Sequence, residues 1–213
     1  MAELNKPLKN RPLESARILV CEGSDEFDLF TLLRNERGLG ESDLEVVDAG
    51  GRQNLLETVD DQFYRSGGSA IRLIGLVLDS EDDLQDTQSL LHAIRAKVGL
   101  RAQLMSSQLP DATTPGALET LIRQAIPKKS PGATCANQWE ACLQPELTAQ
   151  GQKTQAQKDK AWLQVWLTQR TRDTAYSRIG YAIKKNTQLR EELDRALQPL
   201  KDFLDQLLKQ PLE

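Results

Sequence analysis

The strongest constraint on the fold of this chain is an alternation. Through the first 126 residues, short apolar runs take turns with longer stretches whose apolar side chains recur at helical spacing. "RILVCEG" (17–23) is such a run closed by glycine, and the segment after it puts Phe27, Phe30 and Leu33, with Leu29, on one helical face. Ser24 is read as the N-cap of that helix, with Asp25 and Glu26 in its first turn. "DLEVVDAGG" (43–51) is a second strand ending in a glycine turn, and 52–68 is a second helix closed by Gly67 and Gly68. "IRLIGLVLDSEDD" (71–83) is a third strand, followed by a helix over 86–100. A fourth strand over 102–110 and a fourth helix over 116–126 complete the series. This order predicts an α/β fold: an open, mainly parallel sheet flanked by helices, with its site at the carboxyl ends of the strands.

The rest of the chain has a different texture. "PKKSPGAT" (127–134) reads as a linker, and the polar stretch 147–160 as a mobile loop. Beyond the linker the pattern is helical, so the expected organisation is an α/β domain over 16–126 and a helical C-terminal region over 135–213. Trp139, Trp162 and Trp166 are its large apolar anchors, the last two on one helix face. Leu193, Leu197, Leu200, Leu204 and Leu207 form a leucine seam that makes a homodimer reasonable. Pro199 interrupts it, which predicts a kink or two short helices.

Apolar runs such as "IGLVL" (74–78) are too short to cross a bilayer, and "MAELNKPLKNRPLE" lacks the apolar core of a secretory signal. Cys21, Cys135 and Cys142 have no metal-like spacing; a reducing, cytoplasmic setting is expected, with Cys135 and Cys142 as small buried hydrophobes. A single histidine, His92, in a helical pattern makes Ser-His-Asp and Cys-His catalysis poor readings. The net charge of −4 hides an asymmetry. Residues 1–150 carry 15 Lys/Arg against 23 Asp/Glu, whereas 151–190 carry nine against two.

Why should strands end in acids? Glu22 closes the first strand, Glu26 follows one helical turn on, and Asp79 and Glu81 close the third. Carboxylates within about 4–6 Å raise one another's pKa and resist joint ionisation. A hard divalent cation such as Mg²⁺ or Mn²⁺ removes that conflict, since it prefers oxygen ligands. One or two such ions would suit phosphoryl transfer. Asp25, Asp82 and Asp83 are read as ordinary helix caps, and Asp48 as turn chemistry before Gly50 and Gly51.

"LVCEGSDE" followed by "GLVLDSEDD" resembles the TOPRIM domain, which has a Glu-Gly after its first strand and a D-x-D after its third. The resemblance covers residues 16–126 and is nearest to OLD-family nucleases and small stand-alone TOPRIM-like proteins. It implies that Glu22, Glu26, Asp79 and Glu81 are metal ligands, and that the chain cleaves phosphodiester bonds in nucleic acid. "PGALE" (115–119) resembles an element of the small proteins and would add Glu119. Glu81 departs from the family's usual Asp. The resemblance also implies a lysine beyond the core that steadies the transition state, with Lys184 or Lys185 as the candidate.

An acidic site needs something to attract its substrate. Arg170, Arg172, Arg178, Lys184 and Lys185, interleaved with Tyr176 and Tyr181, suit DNA or RNA. No Walker A pattern is present. By analogy with OLD-like systems, a separate ABC-type ATPase is the expected partner, and phage defence the expected setting. The competing expectation is a non-catalytic partner-binding protein on the same scaffold, favoured by Glu81 and the leucine seam. A primase- or topoisomerase-like role is a third reading, for which the chain is short.

Overall fold

The structure, a computed structural model, describes residues 12–149, 154–169 and 178–212, with the backbone alone over 143–149. Its first elements follow the predicted order: β1 (Arg17–Cys21), α1 (Ser24–Glu36), β2 (Glu45–Asp48), α2 (Leu55–Tyr64), β3 (Leu73–Asp79), α3 (Leu84–Val98), β4 (Gln103–Leu109) and α4 (Leu118–Ala125). The four strands form one parallel sheet in the order β2-β1-β3-β4. The chain steps outward from β1 to β2, then returns past β1 to β3. The strand order therefore reverses between β1 and β3, and in open parallel sheets the crevice at such a reversal is where ligands bind.

Both faces of the sheet are covered, which explains the continuous apolar runs. Ile18, Val20, Ile74, Leu76 and Leu78 pack with α2 and α3 through Leu55, Val59, Leu91 and Ile94. Leu19, Cys21, Leu73 and Val77 point to the other face, into a core with Leu29, Phe30 and Leu33 of α1. That second core also takes in the C-terminal helices: α5 (Pro131–Ala149), α6 (Gln155–Thr168), α7 (Ile179–Lys185), α8 (Thr187–Glu192) and α9 (Gln198–Lys209). Gly75, in the middle of β3, makes room for α9. A Cβ there would lie 2.7 Å from Leu207 Cδ2 and 2.8 Å from Leu19 Cδ1.

Several local expectations need correction. The segment 127–134 is not all linker, because Pro131 opens α5, where its missing N–H is no loss. The polar stretch 147–160 is mostly helix in its described part. Thr154 starts α6 with a reciprocal cap: its Oγ1 accepts from Gln157 N at 3.1 Å, and Gln157 Oε1 accepts from Thr154 N at 3.2 Å. The N-cap of α1 is Gly23 rather than Ser24. Pro199 sits in the first turn of α9; Leu193 and Leu197 lie in the turn between α8 and α9, and only Leu200, Leu204 and Leu207 are in the helix. Leu193, Leu197, Leu200, Leu204 and Leu207 are all buried in the chain's own core, which leaves them unavailable to a dimer interface. Cys21 is buried, but Cys135 and Cys142 are exposed.

Candidate metal centre

Glu22 follows β1 directly, and its backbone is fixed from both sides. Its N–H donates to Val77 O at 3.0 Å and its carbonyl accepts from Gly51 N at 2.8 Å. Its side chain reaches across to β3, where Oε2 accepts from Asp79 N at 3.2 Å. Asp79 is the last residue of β3, and its Oδ1 accepts from Leu118 N, at the start of α4, at 3.0 Å. Glu81 has a left-handed backbone (φ 51°), unusual for a residue with a side chain. A two-way backbone pair with Gly116 holds it there, with both N···O distances 2.7 Å. Gly116 itself sits at φ 141°, and a Cβ there would meet Thr120 Oγ1 at 2.5 Å.

The result is a convergence of three carboxylates. One oxygen each from Glu22, Asp79 and Glu81 lie within 4.8 Å of one another. This is the only such group of three or more potential ligands among the described residues. Glu26 and Glu119 lie beside it and are buried. Glu26 Oε2 accepts from Gly23 N at 3.1 Å, capping α1, while Glu119 is 3.7 Å from Lys160 Nζ.

Burial dominates the electrostatics of the cluster. It pushes the Glu22 carboxyl up to about 7 against the opposing pull of Asp79 N–H and Arg52, with Glu81 adding to the rise. Glu26 is pushed up to about 8 by burial and then by Glu119, Asp25 and Glu22. Asp79 stands well above the usual carboxylate range, through burial and the charges of Glu26, Glu22, Glu119 and Glu81. Glu119 is raised by burial, with Lys160 opposing. All-oxygen donors that resist joint ionisation fit a hard divalent cation.

The basic candidates are placed otherwise. Arg170, Arg172 and Tyr176 lie outside the described residues. Arg178 pairs with Asp28 and also donates to Ser24 O at 3.0 Å. Lys184 Nζ is 2.8 Å from Asp28 Oδ1, and Lys185 lies over the Tyr181 ring at 5.7 Å. Arg190 pairs with Glu36 at 2.8 Å. Part of the charge asymmetry is thus spent inside the molecule, joining the C-terminal helices to α1. Asp25 is more than a cap, since its Oδ1 accepts from Gly180 N of α7 at 2.7 Å. Asp82 accepts from Gln155 N at 3.0 Å, so it too makes a contact distant in sequence. Asp83 is the α3 cap and Asp48 accepts from Gly50 N in the turn, both as expected.

Two cations flank the cluster that sequence reasoning did not single out. Lys160 stands on the Glu119 side with its side chain 56% exposed. Arg52 stands on the Glu22 side, 3.7 Å from Oε2 and only 20% exposed. A signal for Arg52 existed: it directly follows the Gly50–Gly51 turn at the carboxyl edge of the sheet.

Fold and site define an all-parallel α/β protein with a half-buried carboxylate cluster where its strand order reverses. Residues 16–209 match the family described as "Protein of unknown function (DUF3226)", and the chain belongs to that family. No curated protein matches it. No solved structure matches it either. No helix among the described residues is long and apolar enough to cross a membrane.

Proposed function

We propose that this chain is a TOPRIM-type, divalent-metal-dependent nuclease that hydrolyses phosphodiester bonds in DNA or RNA. The observation that carries the reading is the approach of Glu22, Asp79 and Glu81 oxygens to within 4.8 Å, from segments more than fifty positions apart. Their place at neighbouring strand ends supports it. Glu22, Asp79 and Glu81 would hold the ion, with Glu26 and Glu119 as adjacent carboxylates. Bound Mg²⁺ or Mn²⁺ supplies charge neutralisation and Lewis acidity at a phosphodiester. The chain's own residues do the rest. Asp79 N–H orients the Glu22 carboxylate, and Leu118 N–H orients that of Asp79. Lys160, mostly exposed beside Glu119, is placed to meet a phosphate oxygen, whereas Lys184 is engaged by Asp28. Free thiols on Cys21, Cys135 and Cys142 support a reducing, cytoplasmic setting. The effector role beside a separate ABC-type ATPase in phage defence belongs to the same proposal and rests on analogy.

The test has two arms. Plasmid, single-stranded DNA and tRNA are incubated with Mn²⁺ or chelator, with wild type and Asp79→Ala. Cleavage that needs Mn²⁺ and vanishes in the variant is the expected result. Because a partner ATPase could gate activity, melting temperature is measured in parallel. Mn²⁺ raises it for wild type, and Glu22→Gln abolishes the rise. A wild-type protein whose melting is indifferent to Mn²⁺ and Mg²⁺ overturns the proposal.

A further inference from the structure

Arg52 enters the site from an unexpected direction. The Gly50–Gly51 turn, with φ of 71° and 122°, carries the chain over the carboxyl edge of the sheet, and Arg52 comes next. Its Nη1 donates to the Asp79 carbonyl at 3.1 Å and lies 3.7 Å from Glu22 Oε2. Its Nη2 donates to Thr87 Oγ1 at 2.7 Å and to Asp86 Oδ2 at 3.0 Å. Thr87 is fully buried, and its hydroxyl passes the restraint on by donating to Ser80 O at 3.0 Å. One guanidinium therefore touches the acid after β1, the last residue of β3 and the first turn of α3.

These contacts are unequal. The Asp86 side chain is 67% exposed, and an exposed pair contributes little. The bonds to the Asp79 carbonyl and the buried Thr87 hydroxyl use the rigid fork of the guanidinium, which a lysine lacks. They restrain the segment that delivers Asp79 and Glu81.

We propose that Arg52 is a positioning residue of the carboxylate site, clamping the end of β3 to α3 and holding Glu22 toward Asp79 in readiness for a divalent cation. The proposal rests on the metal-site reading above. A simpler role is that of counter-charge, and the two predict opposite signs. A fixed cation near Glu22 repels an incoming one, so removing a mere counter-charge tightens metal binding. Removing a positioning residue loosens the ligands and weakens it.

The experiment uses the full chain as wild type, Arg52→Ala and Arg52→Lys. Mn²⁺ binding is measured by calorimetry, and hydrogen–deuterium exchange is followed in chelator. Arg52→Ala is expected to bind Mn²⁺ about tenfold more weakly. Arg52→Lys keeps the charge but not the fork, so its binding stays weakened. Exchange rises across 79–87 in both variants and is unchanged in the interior of β1. Equal or tighter Mn²⁺ binding by Arg52→Ala overturns the assignment, as does unchanged exchange across 79–87. If Arg52→Ala fails to fold, Arg52→Lys decides alone, and wild-type affinity in it overturns the assignment. A wild type that binds no Mn²⁺ sinks the metal-site reading and this inference together; a wild type that binds, with variants to match, sinks only the inference.

Discussion

Glu26 is 4% exposed, and its carboxylate accepts from Gly23 N while Glu119, Asp25 and Glu22 crowd it. In the unfolded chain it titrates near the ordinary value of 4.5; in the folded one it is pushed up to about 8. The folded state therefore holds a proton that the unfolded state has already released. Stability from this source is complete below the ordinary value and is lost as pH rises through the folded one. Glu22, raised to about 7, acts in the same sense. The urea midpoint of the metal-free protein is accordingly expected to fall between about pH 5 and about pH 8.5. Glu26→Gln should flatten that fall, since its amide oxygen can still accept from Gly23 N. A midpoint that climbs over the interval, or a Glu26→Gln profile identical to wild type, contradicts this account. At this scale Glu22 and Asp79 were legible in advance, because a glycine or a run of acids at the end of an apolar strand marks the carboxyl edge. Asp25 was not. Its partner, Gly180 N, is 155 positions away, and no local pattern announces it.

Among the elements, β3 and α9 fit closely against each other. Leu207 occupies the space that a side chain at position 75 would need, so Gly75 and the α9 leucines are complementary. Gly75→Val should destabilise the fold by about 1–3 kcal/mol, through overpacking against Leu207 and Leu19. Thermal melting reads this directly, and an unchanged transition would show that α9 can move aside without loss. The four strands were legible because apolar runs closed by glycine or acids are short-range signals. The start of α6 was misread as loop. Its Thr154–Gln157 capping box lies within a polar stretch whose composition resembles a linker, and only the buried face set by Trp162 and Trp166 reveals a helix.

For the molecule as a whole, the C-terminal helices join α1 and α4 in covering one face of the sheet. Trp162, Trp166, Leu200, Leu204 and Leu207 share one core with Leu19, Leu73 and Val77. A chain ending at residue 126 would expose to water the part of that face the C-terminal helices cover. It is expected to bind a hydrophobic dye and to lack a cooperative melting transition, whereas the full chain melts cooperatively. A cooperative melt of the truncated chain would show instead that the sheet and its first helices stand alone. What the sequence by itself determined was the α/β class, the direction of the strands and the edge at which acids gather, since all of these follow from local periodicity and turn chemistry. Only the tertiary structure decided that the leucine seam faces inward, that Arg178 and Lys184 answer Asp28, and that Arg52 and Lys160 flank the carboxylates. Those facts depend on which distant surfaces meet, and pairing over such separations is chosen by shape and charge across the whole core rather than by neighbours along the chain.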